Sequence, residues 1–377
     1  IHAASVGEVH AGLPLIRQCQ EEKPEIEVVV STQTSTGQEV AKQHCPDCLR
    51  FYFPIDLTPA IAKVFERIRP SCVALVEREI WPNFVAEAKR RAVPVIQVNS
   101  RITDSSVKAY RWLYPVIGSA LQRIDSYSVQ TEVYAERLRS LAVPEERIQV
   151  TGNLKYDGFE TSVPVEEQQR LRREMGLSQN APVLVGGSIH PSEESALLHA
   201  LRLVRKKRPD VRLVLAPRHA ERIPKIEQAI AEAGEISARK TSIQKASSPA
   251  EAHRGNIVIV DTMGELRSIY SLAEVVFVGG TLVPIGGHSL MEPAALGRPV
   301  VFGPQIFKQP ADAETLLGAE ASFRCFEEDE VAKQILRLFN DTSLAETMGK
   351  RARAAIQEHA GAAKRTFQIL KPYLQEN

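Results

Sequence analysis

Acidic side chains near the start of the chain follow an apolar, strand-like segment, where general acid–base chemistry is possible. Glu8 lies in the loop Ser5-Val6-Gly7-Glu8, in which Gly7 permits a tight turn before a predicted helix. A carboxylate at a helix N-terminus is held ionised by the helix dipole. Glu8 is therefore a candidate general base facing a ligand cleft. An ordinary N-terminal charge cap is an equally weighted alternative.

A second acidic cluster follows a later predicted strand. Glu77 and Glu79 flank an arginine in the stretch EREIWPN, and Arg101 occupies the same position after the next strand, in NSR. The carboxyl ends of parallel strands meet at one edge of a sheet, so these groups could bind a polyhydroxylated ligand there. A solvated group of salt bridges is the competing interpretation.

Phosphate-binding features are concentrated in the second half of the chain. Ser188 lies in a Gly-Gly-Ser loop after a predicted strand, which alone is a weak signal. Pro217, Arg218 and His219 end another strand, and an arginine there is well placed to bind a phosphate with two hydrogen bonds.

The segment GGTLVPIGGHSLMEPA carries the strongest signal. Its two glycine pairs, the second ending at Gly287, let the backbone approach a ligand closely. A helix opening near Ser289 would direct N–H groups at an anion, and Glu292 could accept hydrogen bonds from a ribose diol. The spacing fits neither the Rossmann dinucleotide fingerprint nor the P-loop. No DxD-like pair of aspartates is present to hold a nucleotide-bound cation, which disfavours cation-dependent sugar transfer.

Alternating strands and helices must position these residues. Short runs rich in β-branched residues are separated by helical stretches, which predicts an α/β protein with parallel sheets covered on both faces. The pattern restarts after a Gly- and Asp-bearing stretch, so we expect two doubly wound domains facing a cleft. The predicted strands are 26–31, 72–76, 93–98, 127–130, 183–186, 211–216, 257–260, 275–278 and 299–302. The last two predicted helices are 329–339 and 344–373.

Composition sets outer limits on function. The 377 residues, 44% hydrophobic and 25% charged, are those of a globular protein, and no apolar stretch is long enough to span a membrane. The net charge of +1 argues against a dedicated nucleic-acid binder. Five cysteines in so long a chain form no disulfide framework, and the single CxxC, Cys45 to Cys48, is predicted to be a surface turn rather than a metal site.

Taken together, the ordered motifs resemble a known family. SVGEV, EREIWPN, NSR, GNLKYD, PRH, DTMGEL and GGTLVPIGGHSLMEPAALGRPVVFGP follow one another as in the 3-deoxy-D-manno-octulosonic acid (Kdo) transferases of lipopolysaccharide synthesis. The resemblance covers nearly the whole chain and implies a GT-B fold, without metal or other cofactor. It also implies inverting transfer of Kdo from CMP-Kdo to the lipid A precursor, lipid IVA, in Gram-negative bacteria.

The resemblance assigns roles to individual residues. Glu8 matches the family's proposed general base, and Lys155 matches a lysine placed beside the donor's carboxylate or phosphate. Ser5, Gly7, Glu77, Glu79 and Arg101 fall on the acceptor side. Ser289 stands where the family usually has Asn, which puts one nucleotide hydrogen bond in doubt but keeps a capping side chain. The matches to CMP-binding segments are Pro217, Arg218, His219, Met263, Gly264, Glu265, Ser188, Gly287, Ser289, Leu290, Met291 and Glu292.

The implied domain organisation has four parts. Residues 1–153 form an acceptor-binding domain, 154–165 a linker that permits closure, 166–355 a CMP-Kdo-binding domain, and 356–377 a C-terminal helix returning to the first domain. Family members begin with an apolar membrane anchor, which this sequence lacks, and act at the cytoplasmic face of the inner membrane.

A membrane-facing segment is predicted at Val107–Arg123, which mixes basic and aromatic residues. Residues 86–123 hold seven Lys or Arg against two Asp or Glu, a basic face suited to an anionic lipid. An ordinary half-buried helix kinked at Pro115 remains the alternative. The competing functions are another two-domain nucleotide-sugar enzyme, such as a UDP-sugar transferase or 2-epimerase, and a non-catalytic sugar-nucleotide or lipid-binding protein.

Overall fold

The chain forms two structural units, described in a computed structural model for residues 1–245 and 256–374. The N-terminal unit comprises Ile1–Gly158 and His359–Asn377, and the C-terminal unit comprises Phe159–Glu358. The division falls inside the predicted linker, 154–165. Its first residues form a 3₁₀ turn, Leu154–Gly158, in which Leu154 is fully buried in the N-terminal core, so they belong to that unit.

Parallel strands build the N-terminal unit because the apolar runs are short and β-branched, as strands buried on both faces require. In its described part, β1 pairs with β2, and β3 to β6 form a four-stranded sheet in chain order. The strands are β1 (Val29–Thr32), β2 (Leu49–Tyr52), β3 (Val73–Val76), β4 (Val95–Ser100), β5 (Ser126–Val129) and β6 (Ile148–Val150).

The start of the chain joins these two sheets. His2 forms parallel bridges to Ser31 in β1 and to Leu75 in β3. Its backbone N–H donates to the carbonyl of Ala74 at 2.8 Å, and its carbonyl accepts from Val76 at 2.9 Å. The chain then builds β1 and β2 on one side of this segment and β3 to β6 on the other. The topological switch point therefore lies between the His2 segment and β3.

Helices cover the N-terminal sheets and complete their core. The last helix of the chain packs into the same core as the first, through Ala362, Phe367 and Leu370. The helices are α1 (Val6–Glu22), α2 (Ser35–His44), α3 (Thr58–Ile68), α4 (Pro82–Arg90), α5 (Asp104–Trp112), α6 (Tyr114–Arg123), α7 (Glu132–Arg139) and α17 (Ala362–Leu370).

The C-terminal unit repeats the arrangement on a larger scale. Its described strands form one seven-stranded parallel sheet in the order β13-β12-β11-β7-β8-β10-β9. From β7 the chain first builds β8, β9 and β10 on one side of this strand and then β11, β12 and β13 on the other. The switch point therefore lies between β7 and β11. The strands are β7 (Val183–Ile189), β8 (Arg212–Pro217), β9 (Ser237–Arg239), β10 (Ile257–Ile259), β11 (Val275–Val278), β12 (Val300–Phe302) and β13 (Ser322–Arg324).

The helices of the C-terminal unit differ from the sequence expectation at the chain's end. A single helix was predicted over 344–373, but it breaks after His359, where Gly361 adopts a positive φ of 85° that favours glycine. The helices are α8 (Val165–Glu174), α9 (Glu193–Arg205), α10 (Ile223–Glu232), α11 (Lys240–Gln244), α12 (Leu266–Tyr270), α13 (Met291–Ala295), α14 (Pro310–Gly318), α15 (Glu328–Asn340) and α16 (Thr342–His359).

The basic and aromatic segment Val107–Arg123 is also divided. It falls on α5 and α6, which meet at Leu113, so the break precedes the predicted kink at Pro115. Proline is tolerated in the first turn of a helix, where its missing N–H has no helical partner. Trp112 is 82% exposed at this corner. No helix in the described ranges is long and apolar enough to cross a bilayer.

The CxxC segment corrects a sequence prediction. Pro46 and Asp47 form an exposed turn, as expected, but Cys45 and Cys48 are each only 5% exposed and pack in the N-terminal core. The pair is therefore part of the core rather than of the surface. Both thiols are free.

Candidate functional site

Three glutamates lie around the switch point of the N-terminal unit. Glu8 is on the first turn of α1, after the His2 segment, and Glu77 and Glu79 follow β3. Glu8 Oε2 accepts hydrogen bonds from the backbone N–H groups of Ala4, at 2.6 Å, and Ser5, at 3.3 Å. The predicted neighbours Ser5 and Gly7 form the start of this turn. No atom lies within 4 Å of the position that a Cβ on Gly7 would occupy, so the turn is open beside Glu8.

Glu8 closes a capping box with Ser5 at the start of α1, and its carboxyl is half-buried. Burial raises the pKa of Glu8 to about 7, and the negative charges of Glu79 and, to a smaller extent, Glu77 add to this rise. The two backbone hydrogen bonds lower the pKa of Glu8 and so offset part of the rise. A carboxyl with a pKa near neutrality exchanges protons readily at physiological pH. The structure shows the capping contact of Glu8 together with its raised pKa, and its role as a general base stays a prediction.

Glu77 and Glu79 are themselves partly buried. Burial raises the pKa of both carboxyls; the cations Arg101, Arg78 and Lys155 oppose the rise at Glu77. Glu77 has a positive φ of 59°, a backbone conformation that is rare for residues other than glycine and asparagine. The turn after β3 therefore holds Glu77 in a strained conformation. The predicted acceptor-side residues Glu77, Glu79 and Arg101 thus come together in one charged cluster.

Lys155 lies in this N-terminal cluster, although the resemblance placed it beside the donor. The side chain of Asn99, at the end of β4, accepts a hydrogen bond from the N–H of Leu154 at 3.0 Å, which fixes the GNLK turn at the carboxyl edge of the sheet. Lys155 then faces Glu77 closely enough to lower its pKa. Its contact with a donor stays a prediction.

Hydrogen bonds to the carboxylate of Glu193 connect the two loops at the switch point of the C-terminal unit. Its carboxylate is fully buried and accepts four backbone hydrogen bonds, from His190, Gly280, Thr281 and Leu282, at 2.8 to 3.0 Å. The first of these residues follows β7 and the other three follow β11. Glu193 therefore sets the spacing between the two loops that flank the crevice.

The same crevice requires glycine. A Cβ built on Gly279 would lie 2.4 Å from the carbonyl oxygen of Ser188 and 2.6 Å from the Cα of Ile189, both backbone atoms that cannot move aside. Ser188, a predicted site residue, also has a positive φ of 53°. Gly279 thus allows two loop backbones to touch, whereas the predicted close approach of a ligand to the glycine pairs stays a prediction.

Histidines and cations line this crevice. The Nε2 atoms of His190 and His288 lie 2.8 Å apart, and the ring of His219 lies 5.7 Å from that of His190. Burial, then the neighbouring cations, lowers the pKa of His288 to about 4. Pro217 ends β8, and the N–H of the following residue, Arg218, donates to the carbonyl of Ile189 at 3.1 Å, joining this strand end to the loop after β7.

The GGHSLMEP segment departs from its expected geometry in one respect. The helix α13 begins at Met291 and is only five residues long, so it supplies little of the dipole expected at Ser289. Ser289 Oγ accepts a hydrogen bond from the N–H of Glu292 at 3.4 Å and caps this short turn. Leu290 and Met291 are fully buried, so a nucleotide would meet their backbone rather than their side chains.

Gly287 and the DTMGEL motif form two further turns. Gly287 has a positive φ of 82°, and its N–H donates to Gly280 at 2.7 Å. Met263 is 82% exposed, Gly264 has a positive φ of 84°, and Glu265 opens α12. Both oxygens of Glu265 accept from the buried ammonium of Lys240, at 2.7 and 2.6 Å.

Sequence reasoning missed three of these groups. Glu193, Lys240 and the His190–His288 contact each depend on partners at least 25 residues away in sequence. A weak signal existed for Glu193, because it lies in the first turn of a helix directly after a Gly-Gly loop. In the parts of the chain that are described, no three His, Cys, Asp or Glu side chains come together as a possible metal site.

Comparison with solved structures defines the class of protein. The UDP-GlcNAc 2-epimerase of Neisseria meningitidis, solved with UDP-GlcNAc, has a TM-score of 0.68 at 16% identity, and the alignment covers 98% of both chains. A putative UDP-N-acetylglucosamine 2-epimerase of Listeria monocytogenes has a TM-score of 0.63 at 14% identity, covering 100% of this chain and 96% of that one. The fold is therefore the GT-B fold of glycosyltransferases and nucleotide-sugar epimerases, as expected.

Sequence relatives give the family. The family model for 3-deoxy-D-manno-octulosonic-acid transferase (kdotransferase) matches residues 1–158. The Kdo transferase of Chlamydophila psittaci is 32% identical over 99% of this chain and 84% of its own length. That of Haemophilus influenzae is 29% identical over 100% of this chain and 87% of its own length. The chain belongs to the Kdo transferase family and is a glycosyltransferase.

Proposed function

We propose that this glycosyltransferase moves Kdo from CMP-Kdo onto the lipid A precursor, lipid IVA, in a single inverting displacement without a metal ion. The observation that carries the proposal is Glu8, a half-buried carboxyl with a pKa of about 7 at the switch point of the N-terminal unit. Relatives named Kdo transferases, at 29 to 32% identity over almost the whole chain, support the choice of sugar.

Glu8 acts on the acceptor in this proposal. It removes the proton from the attacking hydroxyl as the oxygen bonds to the anomeric carbon, and a pKa near 7 suits that transfer. Glu79 and Glu77 lie close enough to Glu8 to raise its pKa, and Arg101 lies close to Glu77. These three side chains supply hydrogen-bonding groups for the acceptor in this proposal. A single base without a covalent intermediate gives inversion at the sugar carbon.

The donor phosphate is stabilised by the cations of the C-terminal unit. Arg218 follows β8 at the crevice, and Lys308 lies close enough to lower the pKa of both His190 and His288. Such side chains can stabilise the negative charge that develops on the departing phosphate, the role that a divalent cation has in other transferases. Glu292 is the proposed partner of the ribose hydroxyls.

Membrane docking is proposed for the corner between α5 and α6. Trp112 is 82% exposed there, and Leu113 and Tyr114 are each 39% exposed, beside the basic residues of Val107–Arg123. An exposed aromatic group with cations around it suits the headgroup region of an anionic bilayer. We propose that this surface holds the enzyme at the cytoplasmic face of the inner membrane, where its lipid acceptor lies.

The deciding experiment is incubation of the enzyme with CMP-Kdo and lipid IVA, with and without EDTA. Transfer of Kdo that the chelator does not change is the expected result. Absence of transfer would disprove the proposed function, and transfer that EDTA abolishes would disprove the metal-free mechanism. A Glu8→Ala variant should still bind CMP but lose turnover, and normal turnover in that variant would remove Glu8 as the base.

The runner-up functions are separated by the same assay. A 2-epimerase would release free nucleotide and a changed sugar from UDP-GlcNAc without any lipid. A non-catalytic binding protein would bind CMP-Kdo and leave it intact. The epimerases among the solved structures share only the fold, at 14 to 16% identity, so they give no separate support for epimerase activity.

A further inference from the structure

His190 and His288 form a direct pair between the two loops of the C-terminal crevice. Their Nε2 atoms are 2.8 Å apart, and their ring planes are inclined by only 12° with centroids 5.1 Å apart, so the two rings meet edge to edge. A neutral pair in this geometry holds one hydrogen between the two nitrogens, donated by one ring and accepted by the other. Neither ring then has an Nε2–H left over for a ligand.

The distance between these rings is fixed by the backbone. The N–H of His190 donates to Glu193 Oε2 at 2.8 Å, and the same oxygen accepts from Gly280 on the opposite loop at 2.8 Å. The N–H of His288 in turn donates to the carbonyl of Gly279 at 3.3 Å. The pair is therefore held together by the loops themselves and does not depend on a bound ligand.

Apart from the buried carboxyl of Glu193, which accepts from the N–H of His190 at 2.8 Å, the charges around the pair are predominantly positive. Arg218, His219, Arg222 and Lys308 all lower the pKa of His190, after the larger effect of burial. Arg222 is balanced by Glu194 at 3.1 Å, and His219 lies 3.7 Å from Glu221. The side chains of Arg218 and Lys308 form no ion pair with any residue that the structure describes. Burial and these cations favour a neutral pair until an anion arrives.

We propose that the His190–His288 pair takes up one proton when the phosphate of the nucleotide binds beside it, and that this proton is delivered to the phosphate as it leaves the sugar. The proposal rests on the proposed function, because it takes CMP-Kdo as the donor. A phosphate reverses the local balance of charge, and the added proton then binds the one open ring nitrogen, Nδ1 of the ring that donates in the pair. The positive charge is shared with the second ring through the hydrogen bond between the two Nε2 atoms.

The chemical step balances as follows. The hydroxyl oxygen of the acceptor bonds to the anomeric carbon of Kdo, and its proton goes to Glu8. The bond from that carbon to the phosphate oxygen breaks, and the electron pair stays on the oxygen. The protonated histidine pair gives its proton to this oxygen, so CMP departs as a monoprotonated phosphate and the pair returns to neutral.

The test is isothermal titration calorimetry of CMP binding at pH 7.5 in two buffers with different ionisation enthalpies. The wild-type enzyme should take up close to one proton per CMP bound, as linkage requires when a neutral pair becomes protonated. His190→Asn and His288→Asn, on different loops, should bind CMP with most of this uptake lost and turn over about 100-fold more slowly. His199→Asn, which removes a partly exposed histidine from α9, is the matched control and should match wild type.

The outcomes separate the two proposals. Binding of CMP without linked proton uptake, or with the same uptake in wild type and both variants, would overturn the role of the pair and leave the donor site standing. Absence of CMP binding to the wild-type enzyme would overturn the proposed function as well. Thermal melting of each variant checks that it is folded, and because the two histidines lie on different loops, one folded variant is enough for the comparison with wild type.

Discussion

Oε2 of Glu193 lies 2.8 Å from the backbone nitrogen of Gly280, across the gap between the loops that follow β7 and β11. The same carboxylate binds three more N–H groups and has no exposed surface. A single side chain thus takes the place of backbone pairing where the sheet opens to form a crevice.

Glu193→Ala should destabilise the enzyme by about 3 kcal/mol or more, because it leaves four buried N–H groups without an acceptor. Glu193→Gln, with one carbonyl oxygen, should have an intermediate effect. Urea unfolding measures both. Glu166→Ala is the control, since Glu166 is also in the first turn of a helix but is exposed. Equal stability in the Glu193→Ala and Glu166→Ala variants would show that the carboxylate does not hold the loops.

The pKa of Glu8 predicts a pH profile. If Glu8 is the base, kcat for Kdo transfer at saturating CMP-Kdo should rise with pH through about 7 and level off above it, as the carboxylate form fills. Glu8→Gln should lose this rise and at least 100-fold of the activity. Glu21→Gln, an exposed residue of the same helix, serves as the control. A wild-type profile that is flat between pH 5.5 and about 8.5 would contradict this role.

The free energy of unfolding should fall with rising pH over the range in which the activity rises. The pKa of Glu8 in the folded protein lies above its ordinary value of 4.5, so folding binds a proton and loses stability as pH rises from about 4.5 through about 7. Glu8→Gln removes this effect and should melt at a higher temperature than wild type above pH 7, with little difference at pH 4. A lower melting temperature for the variant at pH 8 would show that the charged form is stabilised instead.

The buried ammonium of Lys240 should contribute to the folding stability of the C-terminal unit. Lys240 is 1% exposed and lies within 2.9 Å of Glu174 and 2.7 Å of Glu265. Burial alone would raise the pKa of Glu265. The Lys240 ammonium and the Thr262 hydroxyl outweigh burial and hold that pKa below its ordinary value. Lys240→Met should cost about 3 kcal/mol of folding free energy, because two carboxylates lose their cation. Lys225→Met, at an exposed position, should have almost no effect in the same urea titration.

The proposed membrane surface can be tested with vesicles. Trp112→Ser should reduce cosedimentation with anionic phospholipid vesicles about tenfold, since transfer of an indole from water is worth a few kcal/mol at most. Phe326→Ser replaces a 63% exposed aromatic residue of the C-terminal unit and is the matched control. Equal losses in the two variants would argue against a specific docking surface at the corner between α5 and α6.

Much of the fold could be predicted because parallel strands buried on both faces are continuous apolar runs. The run VVFV at 275–278 is such a strand, and its predicted bounds are those of β11. The edge strand β2 was missed, because LRFY is neither continuously apolar nor cleanly alternating and two of its residues are exposed. The break at Gly361 was missed because a helical pattern on both sides hid a single residue with positive φ.

The candidate site was predictable only where its signal is local. Glu8 stands out because a carboxylate in the first turn after a strand can be recognised from its neighbours. The raised pKa of Glu8 could not be predicted, since it depends first on burial in the folded unit and then on Glu79, 71 positions along the chain. The pairing of His190 with His288 likewise arises only when β7 and β11 lie side by side.

The return of α17 to the N-terminal unit has a consequence for biosynthesis. The core around Leu15 and Ile16 is closed by Ala362, Phe367 and Leu370, which the ribosome adds only after the whole C-terminal unit. The C-terminal unit is one uninterrupted stretch of chain and can fold as soon as it emerges, whereas the unit made first must wait with apolar surface uncovered. Nascent chains arrested before residue 359 should therefore be the form that chaperones hold longest.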